Sequence, residues 1–447
     1  MDYLDEVARF VVETSSEEIP DAVLARSALV LADCVGAITG GMAEPEIQAL
    51  IARPALAGGG PAVVIGTNRR AQPAQAALLN GTAGTVLEMD EGNQFSRGHP
   101  GMHAVPAALA FASGISVSGR ELLTAIALGY EVGARVGIAS RLRPSLHPHG
   151  TWGTVCAAVA VARLAGRDAA GVRHTINMAA NFALANSRRT MLEGGTVRNA
   201  FAGISGQMGL TVHDLLEAGF EADRDGLGEV FGRALSETFD RAKMTEALGE
   251  RWEVSRNYFK MHACCRYNHA TLDALSQISE REGRIEPDSV AGVEVATYNL
   301  AVELDDPAPR NMLAARFSVP FAVATALVTG RTDVTSFTGD RLTDPAIRAL
   351  GARVRVVEDA AMTAALPDNR PARITLTLKD GRRLTGETQT NRGDWADPYP
   401  EAELRAKFLS LVTRSFPENA AAALWDETLA LPDRACAGGW LKSLAAG

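Results

Sequence analysis

Acidic and histidine side chains are concentrated in the stretch EMDEGNQFSRGHPGMH. It contains the acids Glu88, Asp90 and Glu91, followed by the histidines His99 and His103. Carboxylates accept protons, and an imidazole gains or loses one near neutral pH. These residue types at this density therefore predict general acid–base chemistry. The structural alternative is a solvated acidic loop with one buried histidine.

Prolines indicate how this stretch is positioned. The residue before a proline is pushed away from helical geometry, so His99, which precedes Pro100, is predicted to lie outside a helix. Pro106 suits the first helical position, so we expect the following apolar run to begin a helix there. His99 and His103 would then both lie on a loop at a helix N-terminus, where unpaired N–H groups attract anions.

A second pair of histidines, His147 and His149, also precedes an alanine-rich segment. Thr151 is a candidate N-cap for a helix over residues 152–164. This placement repeats the logic of the first stretch and makes both histidines candidates for a site. The structural alternative is helix capping together with one buried, hydrogen-bonded histidine.

The segment KMHACCRYNH carries the third group, which includes Lys260, His262, Cys265 and His269. It falls at the expected junction of two domains, where small-molecule sites preferentially form. The alternative is a hinge in which the cysteines are simply small buried apolar residues.

Arginines and possible metal ligands widen the set of candidates. Arg188, Arg189 and Arg198 would be solvated by default, but a guanidinium inside a pocket binds a carboxylate in bidentate fashion. The histidine pairs could also present two imidazoles to a metal ion, although neither CxxC nor HExxH is present. The sequence lacks GxGxxG after a strand, GxxxxGK and GxSxG, which argues against the familiar dehydrogenases, kinases and α/β-hydrolases.

The elements around these groups are predicted to be mainly helical up to about residue 255. Apolar periodicity, prolines at helix starts and glycines at helix ends are the signals. The predicted helices cover 2–14, 20–39, 45–53, 72–87, 119–139, 152–164, 168–187 and 198–218, and residues 63–66 form a short strand or turn.

The pattern changes after Asn268. Valine-rich runs near 290–300 and 352–359 are typical of strands, and Asp380-Gly381 predicts a hairpin within 372–388. Helices are expected at 317–329 and 342–351, and helical patterns return after Pro400. The fold class is therefore predicted as mainly α. A large all-helical domain is formed by residues 1–268 and 400–447, and a smaller α+β lid domain, 269–399, is inserted between them.

Composition sets outer limits on function. The chain has 447 residues, of which 47% are hydrophobic and 22% charged, with a net charge of −9. No basic stripe predicts nucleic-acid binding, and the apolar runs fall short of the ~18 residues that span a bilayer. The five cysteines and the lack of a signal peptide predict reduced thiols in a cytoplasmic protein.

With these residues in view, the chain resembles the MmgE/PrpD family over essentially its whole length. Several motifs occur in the family's order. They are Glu88-Met89-Asp90-Glu91 before His99-Pro100-Gly101, His147-Pro148 before Gly153-Thr154-Val155-Cys156-Ala157-Ala158, Lys260 with Cys264-Cys265 and His269, and Phe317-Ser318-Val319-Pro320-Phe321.

The resemblance implies a helical domain with an inserted lid, a homodimer, and a site between the domains. It also implies chemistry on small di- or tricarboxylic acids without cofactor or metal. The implied catalytic residues are His99, His147, Asp90, Glu91 and Lys260. The expected substrate-binding residues are Arg198, Arg189, His149, Cys265, His262 and Phe321.

Three positions depart from the decarboxylase relatives. Arg198 stands where a lysine is expected, Cys265 where a histidine is expected, and Phe321 where a tyrosine is expected. The prediction is a lyase that dehydrates or decarboxylates its substrate by proton transfer next to a carboxylate. The alternatives are an epimerase of the same family, a metal-dependent lyase or hydrolase, and a non-catalytic protein that binds organic acids.

Overall fold

Helices make up most of the protein. The structure is a computed structural model that describes residues 2–56 and 58–446. The helices of the first part are α1 (Tyr3–Glu13), α2 (Asp21–Met42), α3 (Pro45–Ile51), α4 (Pro73–Thr85), α5 (Pro100–Ala112), α6 (Gly119–Ala139), α7 (Gly153–Leu164), α8 (Ala169–Asn181), α9 (Arg189–Leu192), α10 (Phe201–Glu217) and α11 (Gly226–Glu229). This confirms the predicted mainly α fold class.

The core of this part is a set of close-packed helices, with α4 against α10 and α7 against α6, α10 and α5. Small residues allow the close approach. A Cβ on Gly203 of α10 would lie 2.2 Å from the backbone oxygen of Leu78 on α4, so only glycine fits there. The abundance of alanine and glycine in the sequence is thereby explained by helix packing.

Two of the helices, α2 and α6, are long and apolar enough to cross a membrane by length and composition. The expectation that no apolar segment reaches this length is therefore wrong. Their most apolar windows are 78% and 94% buried inside the protein, as core helices are. Their hydrophobicity is thus used in packing against neighbouring helices.

Short strands connect the helices of the first part. They are β1 (Ala62–Val63), β2 (Arg70–Ala71), β3 (Gly92–Asn93), β4 (Ser140–Leu142), β5 (Ser236–Phe239) and β6 (Asn257–Tyr258). The pairs β1–β2, β3–β6 and β4–β5 are antiparallel. The expectation of a mainly helical chain up to about residue 255 holds only in part for 220–255. This segment contains the short helix α11, a π-helical turn at 230–235, 3-10 turns at 241–244 and 253–256, and the strand β5.

The second part contains one sheet and its covering helices. Its elements are α12 (Arg266–Glu282), β7 (Val290–Thr297), α13 (Asn299–Val302), α14 (Met312–Arg316), α15 (Val319–Thr329), α16 (Pro345–Gly351), β8 (Val354–Glu358), α17 (Ala360–Ala364), β9 (Ala372–Leu378) and β10 (Arg383–Thr388). The strand order is β10-β9-β7-β8, with only β7 and β8 parallel. Alternate residues of β9 are buried, and α12 packs on β9 and β10. We call residues 266–399 the lid; this range begins with α12, three residues before the predicted start at 269.

The chain then returns to the first part as α18 (Glu401–Val412), α19 (Glu418–Leu429) and α20 (Gly438–Ser443). Helix α18 lies along α2. The ammonium of Lys407 binds Asp33 of α2 at 2.5 Å, and both side chains are buried. We call the first part together with these helices the body.

One predicted helix start is wrong. Helix α5 begins at Pro100, and Pro106 lies inside it. His99 is the non-helical N-cap, as predicted, but His103 lies within the helix. Pro106 was a misleading signal for the helix start. A proline inside a helix removes one backbone hydrogen bond, but a helix that is well buried can still continue through it. Capping of the first turn by the Glu91 carboxylate, which accepts from the Gly101 N–H at 2.8 Å, favours the earlier start.

Candidate active site

Strand pairing brings the acidic loop and the Lys260 segment together. Gly92 of β3 lies opposite Tyr258 of β6. A Cβ on Gly92 would lie 2.4 Å from the Tyr258 hydroxyl, so glycine is needed for this approach. The pairing places Glu88 and Asp90, just before β3, next to Lys260, just after β6.

A buried group of opposite charges results. The Lys260 ammonium lies 3.2 Å from Glu88 and 3.4 Å from Asp90, and the other Glu88 oxygen pairs with Arg198. These four side chains are at most 1% exposed. Burial alone would lower the pKa of Lys260, but Asp90 and Glu88 outweigh it and raise that pKa. Lys260 is therefore a fixed cation beneath the site.

Glu88 is the acid that the sequence reasoning left out of the catalytic set. Its backbone has φ of 55°, the left-handed region that non-glycine residues rarely adopt. Such backbone conformations cost free energy and are often found at functional sites. The EMDE motif was the sequence signal that could have identified Glu88 as a site residue. Its partner Arg198 is distant in sequence, so only the fold shows that the two side chains pair.

His99 is held by its Nδ1 atom. This nitrogen donates to the backbone oxygen of Glu91 at 2.6 Å and lies 3.0 Å from a carboxylate oxygen of Asp90. Because a carbonyl only accepts hydrogen bonds, Nδ1 carries the proton and Nε2 of the neutral ring carries the lone pair. Although burial would raise the pKa of Asp90, His99 and Lys260 together lower it, so Asp90 remains an anion.

His147 is held in the opposite tautomer. Its Nδ1 accepts a hydrogen bond from the backbone N–H of His149 at 3.0 Å, so the proton of the neutral ring is on Nε2. Asn186 fixes the loop by accepting from the His147 N–H at 3.0 Å and donating to the His149 oxygen at 2.7 Å. Burial, with Arg198 and Arg188 nearby, holds the pKa of His147 well below its usual value, so the ring is neutral.

The four histidines of the first two groups form one buried cluster. The His149 ring centroid lies 5.1 Å from that of His99, 4.9 Å from His103 and 5.9 Å from His147. Burial holds the pKa of His103 at about 3 and that of His149 well below normal. A Cβ on Gly153 would lie 2.3 Å from Nδ1 of His103, so glycine at the start of α7 makes room for this ring.

A cavity between body and lid is lined by Glu88, His99 and His147 and by arginines, whereas His103 and His149 lie behind this lining. His99 and His147 are 8% and 7% exposed and both face it. Its lining residues are Glu88, Arg97, His99, His147, Pro148, Arg188, Met191, Arg198, Tyr258, Cys265, Arg266, Tyr267, Phe317 and Arg370. This arrangement combines a proton acceptor, a proton donor and anion-binding groups.

Of the predicted arginines, the structure brings Arg198 to the cavity and places Arg189 outside it. The Arg189 guanidinium is largely exposed and pairs with Glu193, the residue that follows α9. Its neighbour Arg188 lines the cavity and binds Glu303 of the lid at 2.8 Å. The two adjacent arginines could not be distinguished by sequence, since only the direction of each side chain separates them.

Of the predicted residues in the lid and at the domain junction, some line the cavity and others do not. Cys265 lines the cavity, where burial raises the pKa of its thiol to about 11 and keeps it neutral. Phe321 instead packs against Phe337. His262 lies on another groove, between Thr332 at 2.5 Å and Asp273 at 3.2 Å. The structure thus does not bring Phe321 and His262 to this cavity.

Glu91 also lies behind the cavity lining. It accepts from the Gly101 N–H and from the Tyr130 hydroxyl at 3.0 Å, and burial raises its pKa to about 8. It therefore positions the start of α5, and with it His99. Across residues 2–56 and 58–446, no group of three His, Cys, Asp or Glu side chains is arranged to hold a metal ion.

Two family models match this chain of helical body and lid. Residues 5–241 match the MmgE/PrpD N-terminal domain, and residues 262–432 match the MmgE/PrpD C-terminal domain. The chain therefore belongs to the MmgE/PrpD family, and the predicted resemblance is confirmed.

Several relatives found by sequence comparison are named as cis-aconitate decarboxylases, which are lyases, or as decarboxylase-like proteins. A cis-aconitate decarboxylase-like protein, oryM, of Aspergillus oryzae is 25% identical, covering 91% of this chain and 90% of the relative. The cis-aconitate decarboxylase of Aspergillus terreus is 21% identical, covering 95% and 92%. That of Mus musculus is 23% identical, covering 76% and 72%. The prediction of a lyase agrees with these relatives.

Proposed function

We propose that this protein is a cofactor-independent lyase. It dehydrates or decarboxylates a small di- or tricarboxylic acid by proton transfer next to a carboxylate. The observation that carries the proposal is the pair His99 and His147, which line one arginine-rich cavity in opposite tautomers. A neutral imidazole with a free lone pair accepts a proton, and one with a free N–H donates one.

His99 is the general base in this proposal. Its Nε2 lone pair faces the cavity because Nδ1 is occupied by the Glu91 carbonyl. Once Nε2 takes a proton, the ring is a cation beside the buried Asp90 carboxylate at 3.0 Å. Asp90 therefore stabilises the protonated base, and it acts as an orienting residue as well.

His147 is the general acid. Its lowered pKa keeps the ring neutral, so the proton that it can give is the one on Nε2. Only a strongly basic anion, such as a departing hydroxide or a carbanion, can take this proton, and the imidazolate that is left regains a proton from His99 or from water. In dehydration, His99 takes the proton from the carbon next to the carboxylate, and His147 protonates the departing hydroxyl, which leaves as water. In decarboxylation, carbon dioxide leaves its electron pair on carbon, and His147 supplies the proton that carbon then takes.

Arg198 stabilises the charge that develops on the substrate carboxylate. It lines the cavity and already pairs with Glu88, whose other oxygen is held by Lys260. Fixed cations in a buried site act strongly on charge that appears in the transition state. Lys260, behind Glu88, contributes through this pair rather than by touching substrate, which revises the direct role predicted from sequence.

The same pair of histidines favours epimerisation as the second candidate. If His99 removes a proton from one face of the carbon, a donor on the other face returns one and inverts the centre. The names of the relatives favour decarboxylation over this outcome. Metal dependence is separated from both by metal analysis of the purified protein, where we expect activity to survive chelation.

The first experiment screens carboxylic acids for turnover and for exchange of carbon-bound protons with deuterium from solvent. The set covers dehydration, decarboxylation and epimerisation, and it consists of citrate, 2-methylcitrate, cis-aconitate, trans-aconitate and iminodisuccinate. Loss of water, loss of carbon dioxide, or exchange with inversion is read directly by NMR. Binding of an acid with neither exchange nor turnover would contradict the lyase proposal and support a binding protein.

Variants at the two histidines test the roles. His99→Asn keeps a donor for the Glu91 carbonyl, and His147→Asn keeps an acceptor for the His149 N–H, while each removes the reacting nitrogen. We expect either variant to lower kcat about 10²–10⁴-fold with little change in thermal stability. His174→Ala, at an exposed position on α8, is the matched control. A rate near that of the wild type in either Asn variant would refute that residue's assignment.

A further inference from the structure

Arg370 is a lid residue that reaches into the cavity. It lies between α17 and β9, is only 5% exposed, and lines the cavity with the histidines of the body. Its Nη2 donates to the backbone oxygen of Gln94 at 2.9 Å, and the Gln94 amide donates to the backbone oxygen of Asp368 at 3.0 Å. The side chain is therefore fixed at the boundary between lid and body.

The other buried arginines of the cavity have carboxylate partners. Arg198 pairs with Glu88, Arg188 with Glu303, and Arg266 with Asp394 at 2.5 Å. The charges of these three arginines are therefore neutralised before any ligand binds. The exposed Arg97 at the edge of the cavity is solvated and needs no partner.

Arg370 differs from them. Within residues 2–56 and 58–446, no carboxylate lies within ion-pair distance of it. Its Nε, like those of Arg198 and Arg266, has no hydrogen-bond partner, so the missing carboxylate is what distinguishes it. Its other neighbour is the face of Tyr267, whose centroid lies 5.4 Å from the guanidinium carbon. Asp394, which acts on Arg370 through space, is already bound by Arg266. A buried cation without a counter-ion is costly, so an anion in the cavity would be favoured at this position.

We propose that Arg370 binds a second carboxylate of the substrate, one that does not take part in the reaction. This inference rests on the proposed function, because it concerns the substrate of the same cavity. Arg198 and the histidines then act on the reacting end of the molecule, and the lid holds the other end. The substrate must carry at least two carboxylates, and recognition of the second one joins the lid to the body.

The experiment measures binding by calorimetry for butanoate, glutarate and propane-1,2,3-tricarboxylate, which carry one, two and three carboxylates. Wild type should gain affinity in steps along this series. In Arg370→Gln, one of these gains in affinity, of roughly 10- to 100-fold, should be absent, and the affinity for butanoate should be unchanged. Arg355→Gln, an exposed arginine on β8 of the same lid, is the matched control and should keep every step.

Two outcomes overturn the inference. One is that Arg370→Gln retains all the steps, and the other is that it weakens the three acids equally, as a purely structural residue would. Either leaves the proposed function standing, whereas failure of the wild type to bind any acid contradicts both proposals.

Thermal unfolding gives a second, independent readout. Without ligand, Arg370→Met should unfold close to the temperature of wild type, because removal of a buried unpaired charge offsets the loss of the hydrogen bond to the Gln94 oxygen. With propane-1,2,3-tricarboxylate, its stabilisation should be smaller than that of wild type. A large loss of stability without ligand would instead assign Arg370 a structural role and overturn the inference.

Discussion

At the scale of single residues, the site depends on which nitrogen of each histidine is free. The Glu91 carbonyl fixes one tautomer of His99, and the His149 N–H fixes the other tautomer of His147. Both partners are backbone groups, so the assignment does not depend on the side chains around them. The two histidines of one cavity are thus held through Nδ1 in opposite ways, one as a donor and the other as an acceptor.

The adjacent arginines Arg188 and Arg189 provide a matched pair of variants. Arg188 lines the cavity, whereas Arg189 is exposed and pairs with Glu193. We expect Arg188→Gln to lower kcat/KM by roughly 10-fold or more, since hydrogen bonds to charged groups contribute about 1.5–3 kcal/mol. Arg189→Gln should leave kcat/KM unchanged. Equal effects of the two substitutions in steady-state kinetics would contradict the placement of Arg188 at the site.

Glu91 predicts a pH dependence of stability. Burial raises its pKa in the folded protein to about 8, above the ordinary value of 4.5. Between these values the unfolded chain loses the proton while the folded protein keeps it. The stabilising contribution of the protonated carboxyl, fully present below pH 4.5, is therefore lost as pH rises through 8.

The variant Glu91→Gln keeps the shape of the neutral carboxyl and cannot ionise. Chemical denaturation at pH 5 and pH 8.5 should show that the variant gains free energy of unfolding relative to wild type as pH increases. A difference between the two proteins that stays constant with pH would show that Glu91 is ionised in the fold.

At the scale of elements, helix N-termini and paired strands position the residues of the site. The N-terminus of α5 positions His99, the N-terminus of α7 lies behind His103, and the β3–β6 pair brings Glu88 to Lys260. Each of these junctions contains a glycine whose Cβ would collide with a neighbour. Close contact between elements is therefore part of the site's construction.

Gly153→Ala tests this packing at α7. The added Cβ would lie 2.3 Å from Nδ1 of the buried His103 and would displace the histidine cluster. Overpacking of this kind costs about 1–3 kcal/mol, and we expect reduced activity as well. Gly439→Ala in α20, where a Cβ meets no atom of the described residues within 4 Å, is the control and should be neutral or slightly stabilising. Unchanged stability and activity in Gly153→Ala would refute the packing argument.

At the scale of the whole molecule, body and lid meet around the cavity through a few polar contacts. Asn311 of the lid donates to the Gly194 oxygen at 2.8 Å, Arg188 binds Glu303, and Arg370 binds Gln94. Buried apolar residues of body and lid also belong to one continuous core. A substrate held by arginines from both parts would strengthen the closed arrangement.

Hydrogen–deuterium exchange tests this coupling. A bound polycarboxylate should slow exchange in residues 187–195 of the body and 366–371 of the lid, because both border the cavity or its contacts. The hairpin turn at 379–382, on the far end of β9 and β10, should be unaffected. Protection restricted to the body would show that the lid does not take part in binding.

The sequence by itself determined the fold class and most elements. Helix α6 was predicted with the observed ends, Gly119–Ala139, and the hairpin of β9 and β10 was located from Asp380-Gly381. These features are local, since periodicity, caps and turn residues act within a few positions. The start of α5 was missed because Pro100 and Pro106 offer equally good local signals, and a contact with Glu91 favours the first.

Only the tertiary structure decided how the candidate residues are used. Sequence placed His99, His147, Lys260 and Arg198 in separate motifs, and long-range packing brought them together in or beside one cavity. It also turned Arg188 inward and Arg189 outward, buried Glu91 behind α5, and left Arg370 without a carboxylate partner among residues 2–56 and 58–446. Charge pairing and the direction of a side chain depend on partners far along the chain, and local sequence carries no information about those partners.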